Sequence, residues 1–111
     1  MTRNRERDVV QGTLDMLVLK ALSLEPMHGW GITHRIGQIT KNVLQVNPGS
    51  LYPALERLQD RGWITAEWGT TDAGRNAKYY KLTAAGRKTL GEETESWRKM
   101  VAAVDAVLRT T

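Results

Sequence analysis

The stretch that most limits the fold is residues 47–64, NPGSLYPALERLQDRGWI. Asn47 directly before Pro48 marks a helix start. The Asn side chain can take a free N–H of the first turn, and proline at the first helical position loses no bond the helix would make. Gly62 marks the stop, because helices often end on a left-handed residue and glycine takes that conformation without cost. Between them Leu51, Leu55 and Leu58, with Ala54, form one apolar stripe at helical spacing. At about 100° per residue, Gly49, Ser50, Pro53, Arg57 and Asp60 fall on the far side and Tyr52 on the flank. The spacing predicts a helix over 48–61. Its buried side is strict and its other side is small and polar, so a partner can come close to its backbone.

Two further helices precede it. In GTLDMLVLKALSLEP the positions Leu14, Leu17, Val18, Ala21 and Leu22 recur at helical spacing, Thr13 can cap the start, and Pro26 marks the end; this predicts a helix over 13–24. Trp30, Ile32, Ile36 and Ile39 predict a second over 29–40, weakened by Gly31 and Gly37. KNVLQVNPG is a break, with Val43, Leu44 and Val46 as candidate core plugs. After the third helix, Ile64, Ala66 and Trp68 alternate with polar residues as in a strand, and KYYKL (78–82) is the returning strand. GTTDAGRNA between them is a turn. Thr83 caps a last helix over 83–109. Its apolar positions Leu90, Trp97 and Val104 are seven apart, as are Val101 and Leu108, which makes a heptad-like seam.

Charge is unevenly spread. The net charge is +4. Between Arg75 and Lys88 stand Arg75, Lys78, Lys81, Arg87 and Lys88 with no acid. Arg3, Arg5 and Arg7 precede the first helix and are expected to be disordered rather than a minor-groove arm. A basic hairpin tip favours an anionic partner.

Other chemistries find little support. With no cysteine, disulfides, thiolate metal sites and thiol catalysis are excluded. His28 and His34 are six apart, which does not share a helix face, and no carboxylate pair completes a metal set. No glycine-rich phosphate loop or nucleophile elbow occurs, and Ser50 has no histidine near it in sequence. An enzyme, a metal or a cofactor is therefore not expected. No apolar run approaches a membrane span and no signal-peptide core is present, so a cytoplasmic protein is expected.

The element order is helix, helix, helix, strand, basic turn, strand, long helix. This is a mostly α chain with a small β-hairpin, in winged helix-turn-helix order. Residues 1–82 are the expected DNA-binding unit and 83–111 the expected dimerisation helix. The third helix would lie in a major groove, about 12 Å wide, and present Gly49, Ser50, Pro53 and Arg57. Its start at Asn47 offers N–H groups to phosphate. Arg75, Asn76 and Lys78 would follow the backbone or enter the minor groove, and Lys41 and Gln45 are candidate phosphate contacts.

The sequence also resembles the PadR-like transcriptional regulators. The resemblance rests on QGTLDMLVLKALSLEPMHGWGI, VNPGSLYPALERLQDRGWI and GRNAKYYKLTAAGR, and spans about residues 9 to 100. It implies a dimeric winged-helix repressor of the short form, with one C-terminal dimerisation helix, acting on double-stranded DNA with an inverted-repeat operator. It places DNA-facing roles on Ser50, Tyr52, Pro53, Arg75 and Lys78. Trp30 stands where a tyrosine is common. Leu90, Trp97, Val101, Val104 and Leu108 form the expected dimer seam. Trp97 has two readings: a seam residue, or a wall of a pocket for a small planar aromatic effector, which the family permits.

Three alternatives stand beside this reading. A small enzyme or metabolite-binding protein would need a catalytic constellation, which is missing. A winged-helix protein-interaction module would carry neutral or acidic faces, and the hairpin here is cationic. A regulator of the MarR type usually has helices on both sides of the winged domain, and only a short charged segment precedes the first helix here.

Overall fold

Leu51, Ala54, Leu55 and Leu58 are all buried, so the stripe of the third helix lies at the centre of the core. The structure, a computed structural model, describes residues 11–111; the arginines at 3, 5 and 7 lie outside the described residues. The elements are α1 (Gln11–Leu24), β1 (Met27–His28), α2 (Gly29–Ile39), α3 (Pro48–Asp60), β2 (Ile64–Thr70), β3 (Asn76–Leu82) and α4 (Ala84–Leu108). Leu14, Val18, Leu19 and Leu22 of α1 join Ile32 and Ile36 of α2 around that stripe. Each fully buried side chain of this size contributes about 1.5–3 kcal/mol.

The start of α3 follows from its sequence. The Asn47 side chain accepts the Ser50 N–H at 2.9 Å, with Pro48 next in the first turn. The helix runs unbroken through Pro53, whose missing N–H leaves the Gly49 carbonyl free of its usual partner. Gly62 ends the helix with φ +77, in the left-handed region.

Some expectations change. Thr13 lies inside α1, which already begins by Gln11, so it is not the cap. The hairpin is part of a three-stranded antiparallel sheet of order β1-β3-β2, because Met27 and His28 pair with Tyr80 and Tyr79. In the break, Val46 is buried and Leu44 packs on the core, but Val43 is exposed. Ile39, Trp30 and Trp68 are also exposed, although periodicity counts them with inward positions. Each is a terminal or outer member of its apolar series, where the element has outrun the core.

The root of α4 is tied to the hairpin. Thr83 donates its backbone N–H to the Trp63 carbonyl at 3.0 Å and its hydroxyl to the Gly62 carbonyl at 2.7 Å. The same hydroxyl caps α4 by accepting the Gly86 N–H. Gly86 packs so closely there that a Cβ would stand 2.0 Å from the Trp63 carbonyl oxygen. Beyond Leu90, α4 buries no side chain, and the molecule extends 57 Å along its longest axis.

No helix among the described residues is long and apolar enough to cross a membrane.

Candidate nucleic-acid interface

The exposed side of α3 is divided by charge. From Pro48 to Ala54 it has no charged side chain; the acids Glu56 and Asp60 come later. Helix N–H groups give the N-terminal end a partial positive charge, whereas the acids repel a polyanion. An anion therefore meets this helix best at its first two turns. Asn47, Gly49, Ser50, Tyr52 and Pro53 are all exposed there.

Tyr52 leans across to α2. Its hydroxyl lies 2.6 Å from the place a Cβ on Gly29 would take, so the absence of that side chain makes room for the ring. Gly29 opens α2, which His28 caps by accepting the Gly31 N–H at 3.0 Å through Nδ1. That bond requires an unprotonated Nδ1. The His28 ring also meets Tyr79 edge-on at 5.3 Å, which ties the start of α2 to the sheet.

The wing completes the surface. Its tip is closed by the Thr71 N–H on the Arg75 carbonyl and by the Gly74 N–H on the Thr71 carbonyl, both 2.8 Å, with Gly74 at φ +80. Arg75, Asn76 and Lys78 are exposed beside that tip. The Lys78 ammonium lies 6.0 Å from the Trp68 ring centre. Between the wing and the α2–α3 pair runs a cleft of about 680 Å³, lined by Trp30, Tyr52, Trp68, Arg75 and Lys78 among others. Every charged group lining it is a cation. Trp30 and Trp68 are 67% and 71% exposed, which is high for tryptophan; Trp30 stacks one face on His34 at 4.7 Å, and much of each indole stays open to a partner. Sequence reasoning missed both. Their only signal was an apolar residue one step past the reach of the core.

Lys41 stands in the turn between α2 and α3 with φ 53, followed by Asn42 at φ 65. The Asn42 N–H reaches back to the Gly37 carbonyl at 2.8 Å, which holds the turn and leaves Lys41 exposed. Gln45 is exposed in the same loop.

Arg57 is placed differently from the expected outward face. Its guanidinium donates to Asp15 of α1 at 2.8 Å, with both side chains about one-quarter to one-third exposed. It lies on the flank of α3 that turns toward α1, and Asp15 holds its charge.

A second surface lies along α4. Leu90 is not available to a partner protomer, because it is buried in its own chain's core. Leu90 lines one cleft with Met16, Leu17 and Lys20 of α1. Further along, Trp97, Met100, Val101, Val104, Val107 and Leu108 are all exposed. Between α1 and α4 lies a cleft of about 630 Å³, where Trp97 faces Met16 and Leu17, with Lys20, Arg98 and Asp105 at its edges. Among the described residues, no three metal-ligating side chains gather.

The sequence profile of the Transcriptional regulator PadR-like family matches residues 18–92, well over half of the chain. The chain belongs to the PadR-like family. Transcriptional regulator Rv3488 of Mycobacterium tuberculosis is 28% identical over 94 residues, covering 85% of this chain and 84% of that protein. A solved PadR family regulator of Eggerthella lenta matches with a TM-score of 0.77 at 30% identity, over 91% of this chain and 86% of that one. A PadR-like regulator of Bacillus cereus gives 0.77 at 27% identity, over 91% and 96%. As a PadR-like protein the chain is a DNA-binding transcriptional regulator in a non-enzymatic family. The three-stranded sheet and long last helix are the winged-helix form of that family.

Proposed function

We propose that this PadR-like regulator is a dimeric repressor that reads an inverted-repeat operator with the first two turns of α3 and grips the flanking backbone in the wing cleft. The observation that carries this reading is the cleft itself. It joins the uncharged end of α3 to Arg75 and Lys78, contains no acid, and presents two open tryptophans. Ser50, Tyr52 and Pro53, with Asn47 and Gly49 at the helix start, face the bases or the nearest phosphates. Arg75, Asn76, Lys78 and Lys41 meet phosphates, and Trp30 and Trp68 flank one strand.

Two protomers pair along Trp97, Val101, Val104 and Leu108, with Met100 and Val107 extending the stripe. That pairing sets two α3 helices about 34 Å apart, one turn of DNA. Domain roles follow: residues 1–82 bind DNA and 83–111 join the protomers. A small planar aromatic compound in the α1–α4 cleft, stacked on Trp97, changes the angle of the seam and releases DNA.

The test is fluorescence anisotropy with the DNA upstream of the protein's own gene, against scrambled DNA of equal length, at two salt concentrations. Tighter binding to the native fragment that survives the higher salt supports the reading. Equal binding to both, erased by salt, leaves only a basic surface on a polyanion. The effector step is tested by titrating planar aromatics while following tryptophan fluorescence, with Trp97→Phe as control. No response that depends on Trp97, across the panel, removes that step.

A further inference from the structure

Arg57 lies on the recognition helix, yet its guanidinium is turned away from the uncharged face. Nη2 holds Asp15 Oδ1 at 2.8 Å, across 42 residues of sequence. Its Nε is buried without a partner, so the inner edge of the guanidinium is packed against the protein while the side chain as a whole stays 30% exposed. Freeing it to reach a phosphate would strip Asp15, itself only 24% exposed, of its counter-charge.

Asp15 sits at a junction. The next two residues, Met16 and Leu17, line the cleft against Trp97 of α4. One turn of α1 therefore holds α3 through Asp15 and meets α4 through Met16 and Leu17. The pair is the only salt bridge among the described residues that joins α1 to α3.

We propose that Arg57 is a positioning residue: its ion pair with Asp15 sets the pose of α3 on α1, so that DNA affinity depends on Arg57 without a phosphate contact. The proposal rests on DNA binding alone and does not require a repressor or an effector.

The two roles predict opposite results at Asp15. A phosphate-binding Arg57 would be released by Asp15→Asn, and affinity would hold or rise. A positioning Arg57 loses its anchor, and affinity falls by about tenfold. The probe is a duplex selected by the wild-type protein from a random pool, measured over a range of salt. Under the proposal Asp15→Asn and Arg57→Gln weaken binding alike, the double variant is no worse than either, and the salt slope stays at the wild-type value. Helical circular dichroism and a stoichiometric titration of active protein separate a changed pose from a smaller folded fraction.

Arg57→Gln flattening the salt slope by about 0.9 would show a phosphate contact and overturn the proposal. So would Asp15→Asn with wild-type affinity, or with a lowered Tm and unchanged affinity of the folded protein. If Arg57→Gln does not fold, Asp15→Asn decides alone. Failure of the wild-type protein to select any duplex would instead sink specific DNA reading, leaving the two failures distinct.

Discussion

The Tyr52 hydroxyl occupies the space above Gly29 that a Cβ would otherwise claim, at 2.6 Å. The contact joins the recognition helix to the first residue of α2 through the free end of a half-exposed side chain. Gly29→Ala therefore displaces the tyrosine tip rather than the backbone. We expect Gly29→Ala to change stability by less than about 1 kcal/mol while lowering operator affinity as Tyr52→Ala does. Thermal melts beside anisotropy check this; an unchanged affinity would remove Tyr52 from the interface.

Gly86 is the opposite case. A Cβ there meets the Trp63 carbonyl oxygen at 2.0 Å, and that atom is backbone, already holding the Thr83 N–H. Gly86→Ala should cost about 2–4 kcal/mol by moving the start of α4 off the sheet. Gly91, five residues on, has open space at its Cβ position. Gly91→Ala should gain up to about 1 kcal/mol. Urea unfolding of both variants gives the contrast.

Along α4 the consequences of substitution should change at Leu90. Leu90→Ala opens the protomer's own core and should cost about 2–5 kcal/mol. Val104→Asp touches no buried neighbour and should leave the protomer folded but monomeric in sedimentation, with weakened operator binding. A Val104→Asp protein that still sediments as a dimer would place the seam elsewhere.

Alkaline pH tests the packing of Tyr80. Burial, with nearby Tyr52 adding to it, raises the Tyr80 hydroxyl above its ordinary value of 10.0. In the unfolded chain Tyr80 ionises first as pH rises past 10, and the folded state holds its proton longer. The contribution to stability is whole below pH 10 and declines above it. Tyr80→Phe should show a shallower loss of stability over that range than the wild type, by denaturant midpoint at successive pH values.

The helices were legible because their signals are local. Asn47-Pro48 and Gly62 bound α3 to within a residue, and Leu51, Leu55 and Leu58 name its buried face. β1 was not, since two residues such as Met27-His28 carry no alternation, and their strand character comes wholly from pairing with β3. Arg57 was misplaced for a related reason: a wheel drawn for one helix cannot show Asp15 approaching its flank from α1. Leu90 shows that one heptad phase can serve two partners, α1 in the chain itself and a free seam further along. The wing cleft draws on α2, α3 and the hairpin together, so Trp30 and Trp68 gained meaning only when those elements met.

The grip on α4 runs from Thr83 and Gly86 at the Trp63 carbonyl to Leu90 in the core, and the helix beyond is an oar in that rowlock. From Leu90 to Leu108 the free shaft is about 27 Å long at about 1.5 Å per residue. Trp97 stands about 10 Å out. A push of about 1 Å at Trp97 would turn such a shaft by roughly 5° and sweep its tip through about 2.6 Å. The blade gains travel while the rowlock takes up the torque.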